Sequence, residues 1–270
     1  MCISDETISF GYPDFWPQVH ELYAPVFCSF TQFAQLTGQI LVSGDERVAM
    51  PVENAIHFLT RLTAFGFNDA LLLCGNGSGP GAMKIVRGMF ETSTLAEYLR
   101  LNPVEVDDYI DFGRVLSWRR YQWMLSRNPE AAKRFAPDKV IELESEYNRL
   151  KGRFSNKKGE VRHRWTTKSI GKMAGEMGRT DQYELVYSLG SSMHHANFEG
   201  LTGYVEMKGD SVTMDGPPSL AWVGSSLIAA HTYLLFALDT LNQGCKLAFD
   251  EKLTAAGDEF QGLWRGRACG

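Results

Sequence analysis

Hydroxyl and imidazole side chains recur at helical spacing in YELVYSLGSSMHHANFE, residues 183–199. Ser191 and His195 are four residues apart, and Glu199 follows at the same spacing, so the three share one face of a predicted helix. An imidazole titrates near neutral pH and suits a general base or acid, while a hydroxyl within its reach suits a nucleophile or a substrate-positioning group. The alternative is a packed helix whose histidines make only local hydrogen bonds.

A second polar face lies on a predicted helix over 82–100. Arg87 and Glu91 are four residues apart there, which is the spacing of an ion pair. Arg87 is a candidate anion clamp and Glu91 its orienting partner. The alternative is a solvated surface pair.

Carboxylates and histidines also suggest a metal site. Glu53 and His57 are four residues apart, as are His195 and Glu199, and Glu91, Asp108 and Asp111 lie on other predicted helices. Dinuclear carboxylate bundles use the motif Glu-x-x-His twice, and that motif is absent. No metal and no cofactor is therefore expected, and a dinuclear-metal enzyme is kept as a further alternative.

The clearest charge feature is the basic segment, residues 149–172. It contains nine Lys or Arg residues against the single acid Glu160, a local charge of +8 in a chain whose net charge is −5. Phe154 and Trp165 lie between the charges. An arm for RNA or another anionic ligand is one interpretation, and a solvated connector beside an acidic body is the other.

Four glycines alternate from Gly75 to Gly81, after an apolar run. A dinucleotide fold would require alternating strands and helices around such a run, but helix follows helix here. The glycines are therefore predicted to join two helices. The alternative is an anion site at the N-terminus of the predicted helix 82–100.

The elements that must position these residues are predicted to be mainly α, in a single-domain multi-helix bundle over residues 1–270. Residues 1–50 form an irregular, aromatic-rich segment broken by prolines. Helices are predicted at 51–74, 82–100, 104–126, 138–151, 183–198 and 220–243, the last closing the fold, with one β-hairpin near residues 203–216.

Composition places the chain among ordinary globular proteins, with 44% hydrophobic and 22% charged residues. The five cysteines show no short paired spacing, which favours a reducing compartment. No signal peptide is read at the N-terminus, and the most apolar run, residues 226–241, is too short to span a bilayer. A cytoplasmic protein without membrane contact is expected.

The order of the motifs AMKIVRGMFETSTLAEYL, DDYIDFGRVLSWRRYQ, SIGKMAGEMG and YELVYSLGSSMHHANFEGL resembles a large domain-of-unknown-function family of bacterial helical proteins. The resemblance covers roughly residues 50–245. It implies an Arg-x-x-x-Glu helix, then an aspartate and tyrosine helix, then a helix with Tyr and Ser-x-x-x-His, all facing a common polar cleft. It also implies a defence or toxin context for some members. This chain departs from the pattern at Ala196, where glycine is usual, and in having His194 as an extra histidine.

The predicted function is binding, and in an enzyme hydrolysis, of an anionic ligand such as a nucleotide or RNA. The alternative is a non-catalytic sensor or interaction module with a structural polar core, and a homo-oligomer is left open. The predicted catalytic residues are His195, Ser191 and Glu91, and the predicted ligand-binding residues are Arg87, Asp108, Tyr187 and His194.

Overall fold

The computed structural model describes residues 11–195, 198–201, 204–208, 211–214 and 218–265, and it is mainly α-helical. Its helices are α1 (Trp16–Arg47), α2 (Pro51–Gly75), α3 (Gly79–Leu101), α4 (Val106–Arg127), α5 (Pro129–Ala132), α6 (Pro137–Leu150), α7 (Ile170–Glu176), α8 (Thr180–Gln182), α9 (Ser188–His194), α10 (Phe198–Leu201), α11 (Val223–Cys245) and α12 (Asp250–Arg265). Strands β1 (Val205–Lys208) and β2 (Ser211–Met214) pair antiparallel. The mainly α class and the hairpin within residues 203–216 are therefore confirmed.

The chain divides into two compact units. The larger unit comprises Met1–Leu101 and Ile170–Gly270, and the smaller unit comprises Asn102–Ser169. The single domain expected from the sequence stays a prediction, and each unit is described by itself.

Three long helices, α2, α3 and α11, form the core of the larger unit. Leu227, Leu234 and Leu238 of α11 are all at most 1% exposed. Burying such a side chain stabilises the fold by about 2 kcal/mol. Most of α11 is buried because other helices pack around it, and it therefore gives adjacent side chains a rigid support.

A tight joint connects α2 to α3 at the glycine run. Gly77 has a φ of +64°, in the left-handed region that glycine adopts without strain, and its carbonyl accepts the Ser219 N–H at 2.9 Å. A Cβ atom added at Gly79 would overlap the carbonyl oxygen of Ala221. The predicted helix joint is confirmed, although α3 begins at Gly79 rather than at residue 82.

The N-terminal segment is more regular than the sequence predicts. Where residues 1–50 were expected to be irregular, α1 is a helix of 32 residues with one kink. The kink is at Tyr23, with φ −117° and ψ 17°, two residues before Pro25. Proline lacks an amide donor and clashes with the preceding turn, which explains a bend rather than a break.

The C-terminal part of the described chain also corrects the sequence analysis. The helix predicted at 220–243 is observed as α11, but α12 follows it, so the prediction that it closes the fold is wrong. Gly257 and Gly262 lie inside α12 and lower its helix propensity. Tertiary packing of Leu253, which is 5% exposed, offsets this weakness.

The predicted helix 183–198 is interrupted rather than continuous. A π-helical turn at Tyr183–Tyr187 precedes α9, and α9 ends at His194. α10 begins at Phe198, and residues 196 and 197 lie outside the described part of the chain. A π-helical turn inside a helix is uncommon and often accompanies a functional site.

The smaller unit has its own apolar centre beneath α4 and α6. Phe112, Val115, Leu150 and Phe154 are buried together. A second group, Trp118, Tyr121 and Ala132, is buried next to α5. The predicted helices 104–126 and 138–151 are confirmed to within two residues at each end.

Candidate functional site

Arg87, Glu91 and Tyr187 form a closed polar triad between α3 and the π-helical turn. Arg87 Nη2 lies 2.9 Å from Glu91 Oε1 and donates to Tyr187 Oη at 3.1 Å. Tyr187 in turn donates to Glu91 Oε1 at 2.8 Å. The Arg87 guanidinium also lies 4.9 Å from the centre of the Tyr187 ring. The three predicted site residues are thus brought together, each as the partner of the other two.

The local sequence explains how α3 and α9 approach so closely. A Cβ atom at Gly190 would lie 2.9 Å from both Arg87 Cβ and the Met83 carbonyl oxygen. Burial, and then the hydrogen bond to Glu91, raise the pKa of Tyr187. Tyr187 therefore stays a neutral donor at physiological pH, and Glu91 already neutralises Arg87. This arrangement fixes the packing of two helices and leaves little charge for a ligand, although Arg87 Nε is buried without a hydrogen-bond partner.

The predicted catalytic pair lies at the end of α9. Ser191 is half-buried, and His194 and His195 are exposed. The His195 backbone N–H donates to the Ser191 carbonyl at 2.9 Å, and the two imidazole centres are 5.0 Å apart. Within the described residues, no hydrogen bond joins the side chains of Ser191 and His195. Their catalytic roles stay predictions, as does the ligand-binding role of His194.

Asp108 lies in the smaller unit, where it is an ion-pair partner of Arg153. Arg153 Nη1 also lies 3.0 Å from Asp111 Oδ2. Arg149 is paired with a glutamate of α6 at 2.7 Å. Two cations of the basic segment are therefore already neutralised by acids of their own unit, and the membership of Asp108 in a site with Arg87 stays a prediction.

A buried cation that the sequence analysis missed lies in the larger unit. Arg179, between α7 and α8, is only 4% exposed. Its Nη1 donates to Thr94 Oγ1 at 3.0 Å and its Nε to Gln182 Oε1 at 2.9 Å, whereas its Nη2 is buried without a partner. Aromatic rings enclose the guanidinium, with the ring centres of Phe236, Phe90 and Tyr233 at 3.9, 4.9 and 5.5 Å.

Among the described residues, no carboxylate makes a direct ion pair with this cation. Glu97 is near enough to act on Arg179 electrostatically, but its carboxylate is bound by Arg100 at 2.6 Å and by Thr240 at 3.3 Å. Burial lowers the pKa of Arg179 to about 10, so it keeps its charge at neutral pH. A buried charge without an opposite charge is unfavourable, and it persists where surrounding contacts or a ligand offset it.

A cavity of about 320 Å³ is lined by two residues that contact this cation, although Arg179 itself is not part of the lining. Gln182 and Tyr233 both line it, and both contact Arg179. The Tyr233 hydroxyl is also buried without a partner, and burial raises its pKa, so it is a neutral donor. The other walls are mostly apolar: Met83, Leu185, Val186, Leu189, Trp222, Ile228 and Ala229. The arrangement can bind a molecule with an apolar body and an acceptor group.

Two further features were considered: a metal-ligand cluster and a membrane-spanning helix. In the part of the chain that the structure describes, no three His, Cys, Asp or Glu residues cluster as a metal site requires. The dinuclear-metal alternative therefore has no ligand set there, and the side chain of Glu199 lies outside that part. None of the described helices combines the length and the apolar character that crossing a membrane requires.

These features define an α-helical protein with a closed polar triad and a separate buried cation beside a cavity. The chain belongs to the family of unknown function named DUF5677, whose model matches residues 54–212. The resemblance inferred from the motifs is therefore confirmed at the level of the family. No curated protein and no solved structure matches the chain.

Weak signals for the missed residues exist in the sequence. Arg179 directly follows the glycine-containing motif SIGKMAGEMG, and its hydrogen-bond partner Gln182 lies three residues further on. Tyr233 lies in the largely apolar α11 without a charged partner at helical spacing. Their relation depends on packing between segments more than fifty residues apart.

Proposed function

We propose that this protein binds a small organic anion with an apolar body. Arg179 and Tyr233 hold the anionic head group, and the apolar cavity takes the body. The observation that carries the proposal is the buried Arg179 guanidinium, which has no carboxylate in direct contact and one unpartnered nitrogen, and which lies 5.5 Å from the ring centre of Tyr233, whose hydroxyl is also unpartnered. A carboxylate or phosphate oxygen would satisfy both donors with charge-assisted hydrogen bonds.

The cavity walls favour a small molecule over RNA. They consist largely of aliphatic and aromatic side chains, which suit a hydrocarbon or ring rather than a polynucleotide backbone. The pairing of Arg153 and Arg149 with acids also removes two charges that an RNA-binding arm would use. We therefore favour a small anion over the RNA and nucleotide ligands considered from the sequence.

The proposed role is that of a ligand-binding sensor without an obligatory chemical step. The closed triad of Arg87, Glu91 and Tyr187 supports this role, because it resembles a structural polar contact that fixes helix packing. Hydrolysis by His195 and Ser191 stays a prediction, and so does a defence context. Neither is needed for binding.

The test compares hexanoate with 1-hexanol, which share an alkyl chain and differ in charge. Isothermal titration calorimetry on the full chain is expected to show hexanoate binding more tightly than hexanol. The variant Arg179→Met keeps an unbranched apolar side chain and removes the cation. Because a charge-assisted hydrogen bond contributes about 1.5 to 3 kcal/mol, we expect hexanoate affinity to fall about 10- to 100-fold in this variant.

The matched control is Arg87→Met, which removes a cation of the same unit that already has a carboxylate partner. Its hexanoate affinity is expected to stay within a factor of three of wild type. If Arg87→Met loses binding and Arg179→Met keeps it, the anion binds at the triad, as the sequence suggested, and our assignment is wrong. Equal affinity of wild type for hexanoate and hexanol contradicts an anion site altogether.

A further inference from the structure

A second cavity of about 350 Å³ lies elsewhere in the larger unit, between α1 and α12. Residues at helical spacing on α1, including Phe33 and Leu36, line one side of the cavity. Residues at helical spacing on α12, including Ala256 and Phe260, line the other side. His231 of α11 also lines it. This cavity shares no lining residue with the cavity lined by Tyr233. Its lining residues all lie outside residues 54–212, which the family model matches.

His231 is the polar feature of this cavity that lacks an explanation. It is 3% exposed, and both of its ring nitrogens are buried without a hydrogen-bond partner. Burial lowers the pKa of His231 to about 3, so the ring is neutral and offers one N–H donor and one nitrogen acceptor. Buried polar groups are nearly always satisfied in native proteins, so an imidazole with two unused nitrogens calls for a partner.

The orientation of the ring directs those nitrogens along its edge. Phe33 stacks on the imidazole with centres 4.1 Å apart and planes 16° apart, and Phe260 lies 4.2 Å away at 33°. Two rings this close and nearly parallel to the imidazole cannot share one face, so they cover opposite faces. The edge, which carries the two nitrogens, is left uncovered by these two rings. The rings of Phe30 and Phe67 also lie near the imidazole, with centres 5.5 and 6.1 Å away, and His231 is one of the residues that line the cavity.

The rest of the lining sets the chemistry of a ligand. Phe33, Leu36, Ala256 and Phe260 provide an apolar, partly aromatic surface, and Ser29, Gln32, Gln35 and Gln39 add neutral polar groups. The charged residues of the lining, Lys252 and Glu259, are both exposed and opposite in sign, so they favour no net charge on a ligand. Lys252 is in addition hydrogen-bonded to Gln39 at 3.1 Å.

We propose that this cavity binds a small, uncharged aromatic molecule whose hydroxyl or N–H group hydrogen-bonds to the ring of His231. The ligand ring packs against the apolar wall of α1 and α12. The polar group of the ligand pairs with the edge of the imidazole. This site is distinct from the anion site, and its test does not depend on that site.

Phenol and toluene are suitable probes because they share a ring and differ in the donor group. Binding to the full chain is followed by NMR through the methyl signals of Ala255 and Ala256, which line the cavity. The variant His231→Phe keeps an aromatic ring between Phe33 and Phe260 but has no nitrogen. Loss of one hydrogen bond is expected to lower the ratio of phenol affinity to toluene affinity about tenfold in this variant.

A second variant keeps the test decisive if His231→Phe fails to fold. Ala256→Leu fills a partly exposed position of the cavity and leaves His231 in place; it is expected to abolish binding of both probes. The proposal is overturned if neither probe shifts the alanine methyl signals of the wild type. It is also overturned if His231→Phe leaves the phenol-to-toluene ratio unchanged, or if Ala256→Leu binds both probes as wild type does.

Discussion

Replacing Arg179 by methionine without ligand tests the claim that the cation lacks compensation. The depressed pKa of about 10 corresponds to an unfavourable contribution of about 3 kcal/mol from the charged form. Methionine removes that contribution, but it also removes two hydrogen bonds and the contacts with three aromatic rings, together worth about 2 to 5 kcal/mol. The two effects nearly cancel, so we expect the free energy of unfolding to change by less than about 2 kcal/mol.

The assay is urea denaturation of wild type, Arg179→Met and Arg179→Ala. Alanine leaves a cavity among the rings, so this variant should be about 2 to 4 kcal/mol less stable than the methionine variant. The pH dependence adds a second readout. Because the native state binds its proton at Arg179 less tightly than the unfolded state does, the unfolded state holds more protons above pH 10, and stability rises with pH. Wild type should therefore gain stability relative to Arg179→Met between pH 9 and pH 11.

A loss of more than about 4 kcal/mol in Arg179→Met would refute this reasoning, since about 2 kcal/mol is the largest change that the balance of terms allows. The guanidinium would then hold the fold through its existing contacts, and no anion would be needed to explain it. A stability difference between wild type and variant that does not change from pH 9 to pH 11 would contradict the depressed pKa.

Two further predictions concern packing and acid stability. Gly79→Ala should lose about 1 to 3 kcal/mol because its Cβ overlaps backbone, whereas Gly88→Ala in the same helix has open space and should gain about 0.5 to 1 kcal/mol, both measured by urea denaturation. His231 has its pKa lowered to about 3, so the unfolded state binds a proton first as the pH falls below 6.5, and wild type should lose about 2 kcal/mol more than His231→Phe between pH 6.5 and pH 5. Lys252 and Glu259 line the same cavity and are present in both wild type and His231→Phe, so their titration does not affect the difference. If both proteins lose the same free energy of unfolding between pH 6.5 and pH 5, the pKa of His231 is not lowered by burial.

The helices that the sequence predicts well have strong local signals. In α2, Pro51 suits the first turn, and the observed bounds match the predicted ones within a residue. The spacing of Ile56, Leu59, Leu62 and Phe65 predicts one buried stripe. Ile56 and Leu59 are buried, but Leu62 and Phe65 are exposed, so that part of the prediction is wrong. α12 and the full length of α1 lack such signals, because glycines in one and prolines in the other lower local helix propensity. Packing against other helices stabilises the helical conformation of those two segments. The pattern of residues along the chain does not reveal that packing.

The same distinction applies to the candidate site. The four-residue spacing of Arg87 and Glu91 predicts their contact, and the observed ion pair at 2.9 Å confirms it. Spacing does not predict that Tyr187, one hundred residues further along the chain than Arg87, joins them. Nor does it reveal that Arg179 is buried among rings of α3 and α11, because burial of a cation arises only when those helices pack.

The two proposed sites share α11 as their common support. His231 and Tyr233 are two residues apart on this helix, which turns their side chains about 200° apart and therefore toward opposite sides. Tyr233 meets Arg179 and α3, while His231 meets Phe33 of α1 and Phe260 of α12. Buried polar groups are nearly always hydrogen-bonded, so the packing of a largely buried helix does not account for two unsatisfied polar groups. Their presence on opposite faces of one helix is therefore better explained by two separate ligands than by one extended site.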